Sequence, residues 1–175
     1  SDTEMILHAY REWGVKCIDK FIGMFAIVLV DLKKMEVLLL RDRVGVKPLF
    51  VYWHKDLMLF ASELKAFHAH PRFEKQLNKD AVSAFIQYGS VPTPHCIFEH
   101  CFKIEPGHYH VLDLQTKKIT ATHYWNVYDA YNQPKSTDDY ATAKSNLKPI
   151  LHSAFNYRMV ADVPVGVFLS GGFDS

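Results

Sequence analysis

The spacing of hydrophobic positions changes along the chain, and each change marks a predicted element. At the start, Ile6, Tyr10 and Trp13 recur at helical intervals, while Ser1 and Glu4 have the spacing of a capping box. The sequence therefore begins with a predicted amphipathic helix that Ser1 caps.

Two pairs of almost continuously apolar runs follow this helix. GMFAIVLV and MEVLLLRD flank Asp31–Lys34, and KPLFVYW and LMLFAS flank the short segment HKD. Such pairs predict two β-hairpins, and strands that are apolar at nearly every position should be covered on both faces. We expect the two hairpins, which extend over Phe25–Phe60, to be neighbours in one sheet.

The middle of the chain is predicted to combine short helices with short strands. One helix is predicted over Glu63–His70. A second, over Lys79–Tyr88, is capped by Asn78 and ended by Gly89. After the proline-rich loop VPTPHCIFEH, three strands are predicted around Phe102–Ile104, in HYHVLDL and in ITATHYW, with Pro106–Gly107 turning the first pair and QTKK the second.

The character of the sequence changes after residue 126. The polar stretch NVYDAYNQPKSTDDY predicts a linker, assigned to residues 127–137, and a helix is predicted over Asp138–Met159. Pro149 lies inside this helix, where proline costs about 3 kcal/mol, so we expect a kink or two helices that meet at Lys148. DVPVGVFL then predicts a buried strand, and SGGFDS the turn after it. This order indicates a second unit, of α/β character, over residues 138–175.

Composition and charge argue against several classes of partner. The 175 residues are 49% hydrophobic and 22% charged, with a net charge of +1 and no basic run, so no nucleic-acid binding is expected. No apolar stretch approaches the roughly 20 residues that span a bilayer, so no membrane association is expected. The cysteines, Cys17, Cys96 and Cys101, fit no metal-site spacing, and their odd number argues against a disulfide framework. A reducing cytoplasm is the expected location.

The segment SGGFDS, Ser170–Ser175, carries the most specific chemistry. Two glycines let backbone N–H groups approach a phosphate with no Cβ in the way, and the hydroxyls add donors. The Gly-Lys-Ser/Thr ending of a Walker loop and the Gly-x-Gly-x-x-Gly of dinucleotide sites are both absent. A plain strand-to-loop turn is the alternative, but the apolar run in front and the Asp-Ser behind favour phosphate binding.

This end of the chain resembles a known family. RMVADVPVGVFLSGGFDS is similar to the pyrophosphate-loop segment of glutamine-hydrolysing asparagine synthetases, which belong to the ATP pyrophosphatase superfamily. SDTEMILHAYREWG, GMFAIVLVD, RDRVGVKPLF, FASELKAF and PGHYHVLD resemble successive segments of that family's glutaminase domain, in the family's order. The resemblance covers nearly the whole chain and is least informative over residues 126–136.

The resemblance implies an α+β fold in two parts. Residues 1–126 would belong to a class II glutamine amidotransferase domain, as part of a four-layer αββα sandwich of the N-terminal-nucleophile type. Residues 138–175 would supply the first helix and strand of an α/β ATP pyrophosphatase domain, up to its pyrophosphate loop. We expect the chain to be an internal fragment of such a protein, which begins after the family's nucleophile cysteine.

The resemblance also implies that the parent protein is an ATP-dependent amidoligase. Glutamine hydrolysis would supply ammonia, through an internal tunnel, to aspartate that ATP has converted to an acyl-adenylate. Asparagine, AMP and pyrophosphate would be the products. The implied cofactors are ATP and Mg²⁺, the implied small-molecule partners are glutamine, aspartate and ATP, and a homodimer is left open.

Site residues are carried over only where this sequence matches the family's motifs. Asp2 matches the aspartate that binds the α-ammonium group of glutamine, although helix capping is an alternative role. No catalytic residue is expected in the chain, because none of its cysteines is terminal and Ser1 matches an internal family motif. The residues that match the ATP and pyrophosphate loop are Leu169, Ser170, Gly171, Gly172, Asp174 and Ser175.

Other polar residues have structural interpretations. We expect Arg41 and Asp42 to form a structural ion pair and, with Glu63, to be scaffold around the glutamine site and tunnel. Two pairs of histidines lie two residues apart, a spacing that gives two metal ligands on one strand face, but no third ligand is evident and no metal site is expected. These pairs are His68 with His70 and His108 with His110.

Two alternatives to asparagine synthesis stay open. Relatives on the same two-domain plan amidate sugars or peptide-like acceptors or close β-lactam rings, and their acceptor pockets lie downstream of the loop. A non-catalytic module with the same fold is the other alternative. A cysteine directly after the initiator methionine of the parent would favour an enzyme.

Overall fold

Within residues 1–173, which the computed structural model describes, the chain has an α+β fold with two antiparallel sheets. It divides into two compact units, Ser1–Tyr131 and a C-terminal unit that begins at Asn132. The helices are α1 (Asp2–Trp13), α2 (Lys79–Tyr88), α3 (Val127–Tyr131) and α4 (Tyr140–Arg158), with 3₁₀ helices at Gly14–Lys20 and Leu64–Ala69. The strands are β1 (Ala26–Asp31), β2 (Glu36–Arg41), β3 (Phe50–His54), β4 (Leu57–Ala61), β5 (Cys101–Lys103), β6 (His108–Asp113) and β7 (Ile119–His123).

The strands are arranged in the orders β1-β2-β6-β7 and β4-β3-β5. Both predicted hairpins are confirmed, β1 with β2 and β3 with β4. The expectation that they share one sheet is wrong, because the chain crosses to the other sheet between β2 and β3. It crosses back between β5 and β6, so Pro106–Gly107 connects two sheets and does not turn a hairpin. Strands that are apolar on both faces need cover on both, and a second sheet supplies it on one of them.

The side chains of β2 alternate between two hydrophobic clusters, as strand geometry requires. Val37 and Leu39 join the cluster that lies between the two sheets. Leu38 and Leu40 join a cluster on the opposite face, together with Ile18 and partly buried side chains of α1. The prediction of apolar cover on both faces is confirmed for this strand, where each buried leucine contributes about 1.5–3 kcal/mol.

The other sheet is also covered on the face that turns away from the first cluster. Tyr52 of β3 is fully buried there. Its ring packs against Phe73, with ring centroids 5.0 Å apart, and against Phe67 of the second 3₁₀ helix, at 6.4 Å. The segment around this 3₁₀ helix therefore packs over the β3 surface.

The predicted N-caps of the two long helices of the first unit are present. Ser1 Oγ accepts a hydrogen bond from the Glu4 N–H at 3.4 Å, and Asn78 Oδ1 accepts one from the Ala81 N–H at 2.8 Å. Gly89 ends α2 with φ of 71°, the left-handed conformation that glycine adopts without strain. The predicted helices at both positions are confirmed, and the helix predicted over Glu63–His70 is a 3₁₀ helix.

The C-terminal part departs from prediction in three places. The stretch predicted to be an irregular linker contains α3, which belongs to the first unit. Helix α4 continues through Pro149, so the expectation of two helices is wrong. The buried strand predicted in DVPVGVFL is also wrong: no strand is found over residues 160–173, and Phe168 is fully exposed. A strand requires a hydrogen-bonded neighbour, and the described part of this unit contains no second strand.

None of the helices within residues 1–173 combines the length and the apolar character that a membrane crossing requires.

His110 of β6 is a polar residue inside the first unit. The residue is 6% exposed, its ring stacks on Phe102 with centroids 6.1 Å apart, and neither ring nitrogen has a hydrogen-bond partner. The nearest carboxylate is that of Glu105, 3.6 Å from Nε2. Burial lowers the pKa of His110, His108 acts in the same direction, and Glu105 offsets only part of the effect.

This environment predicts that stability falls with acidification. Because the pKa of His110 is lower in the folded state, the unfolded chain takes up the proton first, and stability is lost as pH falls through the unfolded value of about 6.5. His110→Phe keeps the aromatic stack and removes the titration. Urea unfolding between about pH 8 and pH 5 should give a flatter pH profile for His110→Phe. His8→Phe, at an exposed position, is the control, and equal slopes in all three proteins would contradict the prediction.

Candidate functional site

The glycine-rich segment after residue 168 is an exposed main-chain turn. Gly171 has φ of 79°, and a Cβ built on it would meet no heavy atom within 4 Å. The Gly172 N–H donates to Ser170 Oγ at 3.4 Å. The turn is exposed, and there is open space beside Gly171, as an anion-binding loop needs.

Only some of the residues predicted for the loop are described by the structure. Leu169 is 76% exposed, so its side chain is not part of a core. Asp174 and Ser175 lie outside the described residues. A cavity of about 700 Å³ in the C-terminal unit runs along α4 and includes none of Leu169–Gly172 among its lining residues. The described residues of the loop therefore form an exposed turn outside this cavity.

Asp2 lies in the first turn of α1. Its carboxylate is exposed, and the helix cap beside it is supplied by Ser1, so Asp2 is free of the capping role that was its alternative. A helix N-terminus stabilises a carboxylate at this position. The next residue, Thr3, lines a cavity of about 330 Å³ together with Ile6, Leu7 and residues 26–30 of β1. The carboxylate is thus exposed on the first turn of a helix whose next residues line this groove of the first unit.

Arg41 and Asp42 do not form the ion pair that was expected. Arg41 is buried, and its Nε donates to the carbonyl oxygen of Lys47 at 2.9 Å. Its Nη1 and Nη2 donate to the carbonyl oxygens of Ile104, at 2.5 Å, and Gly45, at 2.7 Å. Burial lowers the pKa of Arg41, and the charge of Asp42 opposes that shift. The guanidinium is therefore used to bind backbone.

The Asp42 carboxylate binds the complementary backbone groups. Only 1% of the residue is exposed, and its oxygens accept from the N–H groups of Val46 and Lys47, each at 2.9 Å. A longer bond, of 3.3 Å, comes from the Phe25 N–H. The Asp42 carbonyl oxygen also accepts from the Gly107 N–H at 3.0 Å. Both crossings between the sheets, residues 42–49 and 104–107, are tied to this one dipeptide.

Two glycines let the crossings approach each other closely. Gly45 has φ of 68°, and a Cβ on it would lie 2.7 Å from Pro106 Cγ and 3.0 Å from Arg41 Cζ. Gly107 has φ of 67°, and a Cβ there would lie 2.2 Å from the Trp125 carbonyl oxygen. Neither position has room for a side chain, so these glycines are needed for the junction.

Two residues that the sequence did not single out complete this junction. Tyr124 donates its hydroxyl to the Arg41 carbonyl oxygen at 2.8 Å, and burial raises its pKa to about 12. Arg43 donates to the carbonyl oxygens of Phe21, at 2.6 Å, and Asp19, at 3.0 Å. The roles of these side chains could not be predicted locally, since their partners are backbone atoms far away in the sequence.

The other polar candidates have ordinary structural contacts. Glu63 is exposed and forms an ion pair with Lys65 at 2.6 Å. His70 Nδ1 accepts from the Arg72 N–H at 3.2 Å, and His108 Nδ1 lies 2.8 Å from a carbonyl oxygen. Over residues 1–173, no group of three or more His, Cys, Asp or Glu side chains is placed to hold a metal ion.

Comparison with known families gives two matches in sequence order. Residues 1–125 match the family model described as glutamine amidotransferase domain. Residues 146–175 match the one described as asparagine synthase. The two matches fall in different structural units, since the first unit ends at Tyr131.

Curated relatives are similar along the whole chain. A putative glutamine-hydrolysing asparagine synthetase 2 of Methanocaldococcus jannaschii is 38% identical, and the glutamine-hydrolysing asparagine synthetase 3 of Bacillus subtilis is 36% identical. A protein of Gibberella zeae named amidase chry2 is 30% identical. The matches cover 100% of this chain but 34%, 28% and 25% of these relatives, so the chain spans about a third of their length or less.

The junction geometry predicts a large cost for removing its carboxylate. Asp42→Ala leaves buried N–H groups without an acceptor, which should lower the free energy of unfolding by about 3–5 kcal/mol. Asp113→Ala is the matched control, because Asp113 also accepts from two backbone N–H groups but in a partly exposed turn. Urea unfolding should show a much smaller loss for the control, and similar losses in both variants would refute the role of the junction.

Proposed function

Because the chain belongs to the glutamine amidotransferase domain family and continues into a segment similar to asparagine synthase, we propose that it is part of a glutamine-dependent asparagine synthetase. In this enzyme glutamine hydrolysis supplies ammonia to ATP-activated aspartate, and the products are asparagine, AMP and pyrophosphate. The order of the two family matches within one chain, with relatives of that name aligned along all of it, carries the proposal.

The proposed architecture places the two activities in separate domains. We assign residues 1–126 to a four-layer domain of the N-terminal-nucleophile type, residues 127–137 to a linker that begins with α3, and residues 138–175 to the start of an ATP pyrophosphatase domain. Support for the first assignment comes from two packed antiparallel sheets with α1 on one outer face. We also propose a cytoplasmic location, and a homodimer is the oligomeric state to test.

Asp2 is proposed to bind the α-ammonium group of glutamine. Its exposure supports this role, because a ligand can reach the carboxylate and form a charge-assisted hydrogen bond. We assign the glutaminase nucleophile to none of the cysteines of this chain. Cys17 and Cys96 are buried, and Cys101 is partly buried within a strand.

The turn at Ser170–Gly172 is proposed to hold the phosphates of ATP. The open left-handed Gly171 and the solvent-facing main chain fit an anion that needs several N–H donors. Leu169 would lie near the adenine, and Asp174 and Ser175, outside the described residues, would complete the loop. Asp174 supplies a carboxylate for Mg²⁺, whose charge would offset that of the phosphates during adenylation of aspartate.

The acceptor could differ from aspartate while the nitrogen donor stays the same. The Gibberella zeae relative, named an amidase, is nearly as similar to this chain as the more distant asparagine synthetases.

The test is to supply the full-length enzyme with glutamine, ATP and either aspartate or other carboxylate acceptors. AMP and pyrophosphate release only with aspartate supports the proposal, whereas release only with another acceptor replaces it. No glutamine hydrolysis and no ATP turnover would favour a non-catalytic module.

We predict that Asp2→Asn in the full-length enzyme weakens glutamine use selectively. Loss of one charge-assisted contact should raise KM for glutamine about 10- to 100-fold, while synthesis from free ammonia is unchanged. Glu4→Gln, in the same first turn of α1, is the matched control and should leave KM unaltered. An equal loss of ammonia-dependent synthesis would show that Asp2 acts on folding instead.

We predict the opposite selectivity for the loop. Asp174→Ala in the full-length enzyme should reduce ATP-dependent amide synthesis on the order of a thousandfold, because one phosphate-neutralising contact stabilises the transition state by several kcal/mol. Glutamine hydrolysis, which needs no ATP, should be largely intact. Asp138→Ala, at an exposed carboxylate before α4, is the control. Undiminished synthesis by Asp174→Ala would exclude the assigned role.

A further inference from the structure

Cys96 and Cys101 face each other across a short antiparallel turn. An isolated antiparallel bridge pairs His95 with Phe102, and the Lys103 N–H donates to the Pro94 carbonyl oxygen at 2.8 Å. In antiparallel pairing each step forward on one segment meets a step back on the other, so the next opposed pair is Cys96 with Cys101. The two cysteines are therefore cross-strand neighbours.

This register suits a disulfide without movement of the backbone. Directly opposed residues of an antiparallel pair have Cα atoms about 4.5–5.5 Å apart. A disulfide needs about 4.4–6.8 Å between the same atoms. The two thiols are within interaction distance of each other, since each shifts the pKa of the other.

The surroundings make one sulfur a nucleophile. The interaction with the Cys101 thiol lowers the pKa of Cys96 against the effect of burial, and the N–H groups of Phe98 and Ile97 and the Lys103 ammonium act in the same direction. The same interaction and burial raise the pKa of Cys101. Cys96 is only 2% exposed, and the partly exposed Cys101 gives the pair its access to solvent.

We propose that Cys96 and Cys101 form a redox-sensitive dithiol that hydrogen peroxide converts to an intramolecular disulfide. The Cys96 thiolate attacks one peroxide oxygen, which breaks the O–O bond and gives a sulfenic acid and hydroxide. Cys101 sulfur then attacks the sulfenic sulfur, and its proton and the displaced hydroxyl leave as water. In sum, two thiols and one peroxide give one disulfide and two waters, and a thiol reductant reverses the change.

The crosslink would join β5 to the segment that supports α2. The Asn78 N–H donates to the Ile97 carbonyl oxygen at 2.9 Å, and the Glu99 N–H donates to the Gln76 carbonyl oxygen at 2.9 Å. Since Asn78 is the N-cap of α2, a bond between Cys96 and Cys101 would fix the start of this helix relative to the sheet. The modification is independent of the proposed amide synthesis.

Mass spectrometry of the native, fully reduced protein tests this proposal. Trypsin cleavage leaves both cysteines in one peptide, Asp80–Lys103, and Cys17 in another. After a stoichiometric peroxide pulse and alkylation in denaturant, we expect the first peptide to lose two hydrogens and to carry no alkyl group. The Cys17 peptide should be fully alkylated, because the raised pKa of Cys17 keeps it a thiol, which is a poor nucleophile toward peroxide. Dithiothreitol should restore alkylation of both thiols.

Single substitutions separate a disulfide from unspecific oxidation. Cys101→Ser should stop at a sulfenic acid on Cys96 that dimedone traps, and Cys17→Ser should behave as wild type. Lys103→Gln should slow the reaction, and Lys103→Arg should largely retain its rate. Full alkylation of Cys96 and Cys101 after peroxide, or sulfinic acid in place of the disulfide in the wild type, would overturn the proposal. Because the wild-type result decides it, no variant has to fold.

Discussion

The packing of the two sheets depends on two buried charged side chains at the end of β2, which form hydrogen bonds with the main chain. The guanidinium of Arg41 donates hydrogen bonds to carbonyl oxygens of both crossings between the sheets. The carboxylate of Asp42 accepts hydrogen bonds from N–H groups of the first crossing. Buried backbone groups without partners would each cost about 1–3 kcal/mol. The dipeptide removes that cost where neither sheet can supply the hydrogen bonds, so the chain can change sheets twice next to the hydrophobic core.

This constraint explains why the surroundings of the junction are so specific. There is no room for a Cβ at Gly45 or Gly107. Tyr124, which follows β7, donates its hydroxyl to the Arg41 carbonyl oxygen. The core cluster between the sheets is filled from β2, β3 and β6, which the crossings connect. The junction is therefore part of the scaffold, and its side chains bind backbone groups.

The two proposed sites place opposite demands on the chain. Asp2 is presented by a capped helix that packs on the four-stranded sheet, so its position is fixed by a core. The turn at Ser170–Gly172 has no such support within the described residues, and it offers backbone donors in an open conformation. Phosphate binding by a main-chain loop requires that openness, whereas binding of an ammonium by one carboxylate requires a fixed direction.

The sequence by itself determined the local elements and the family. Capping residues, continuous apolar runs and glycine ends predicted α1, α2 and the two hairpins, because these signals act over a few residues. The motif order predicted the family that the comparisons confirm. Only the tertiary structure decided which sheet each hairpin joins, that Arg41 and Asp42 bind backbone, and that Cys96 meets Cys101. A strand apolar on both faces fits either sheet, and contacts between distant backbone atoms leave no periodic trace in the sequence.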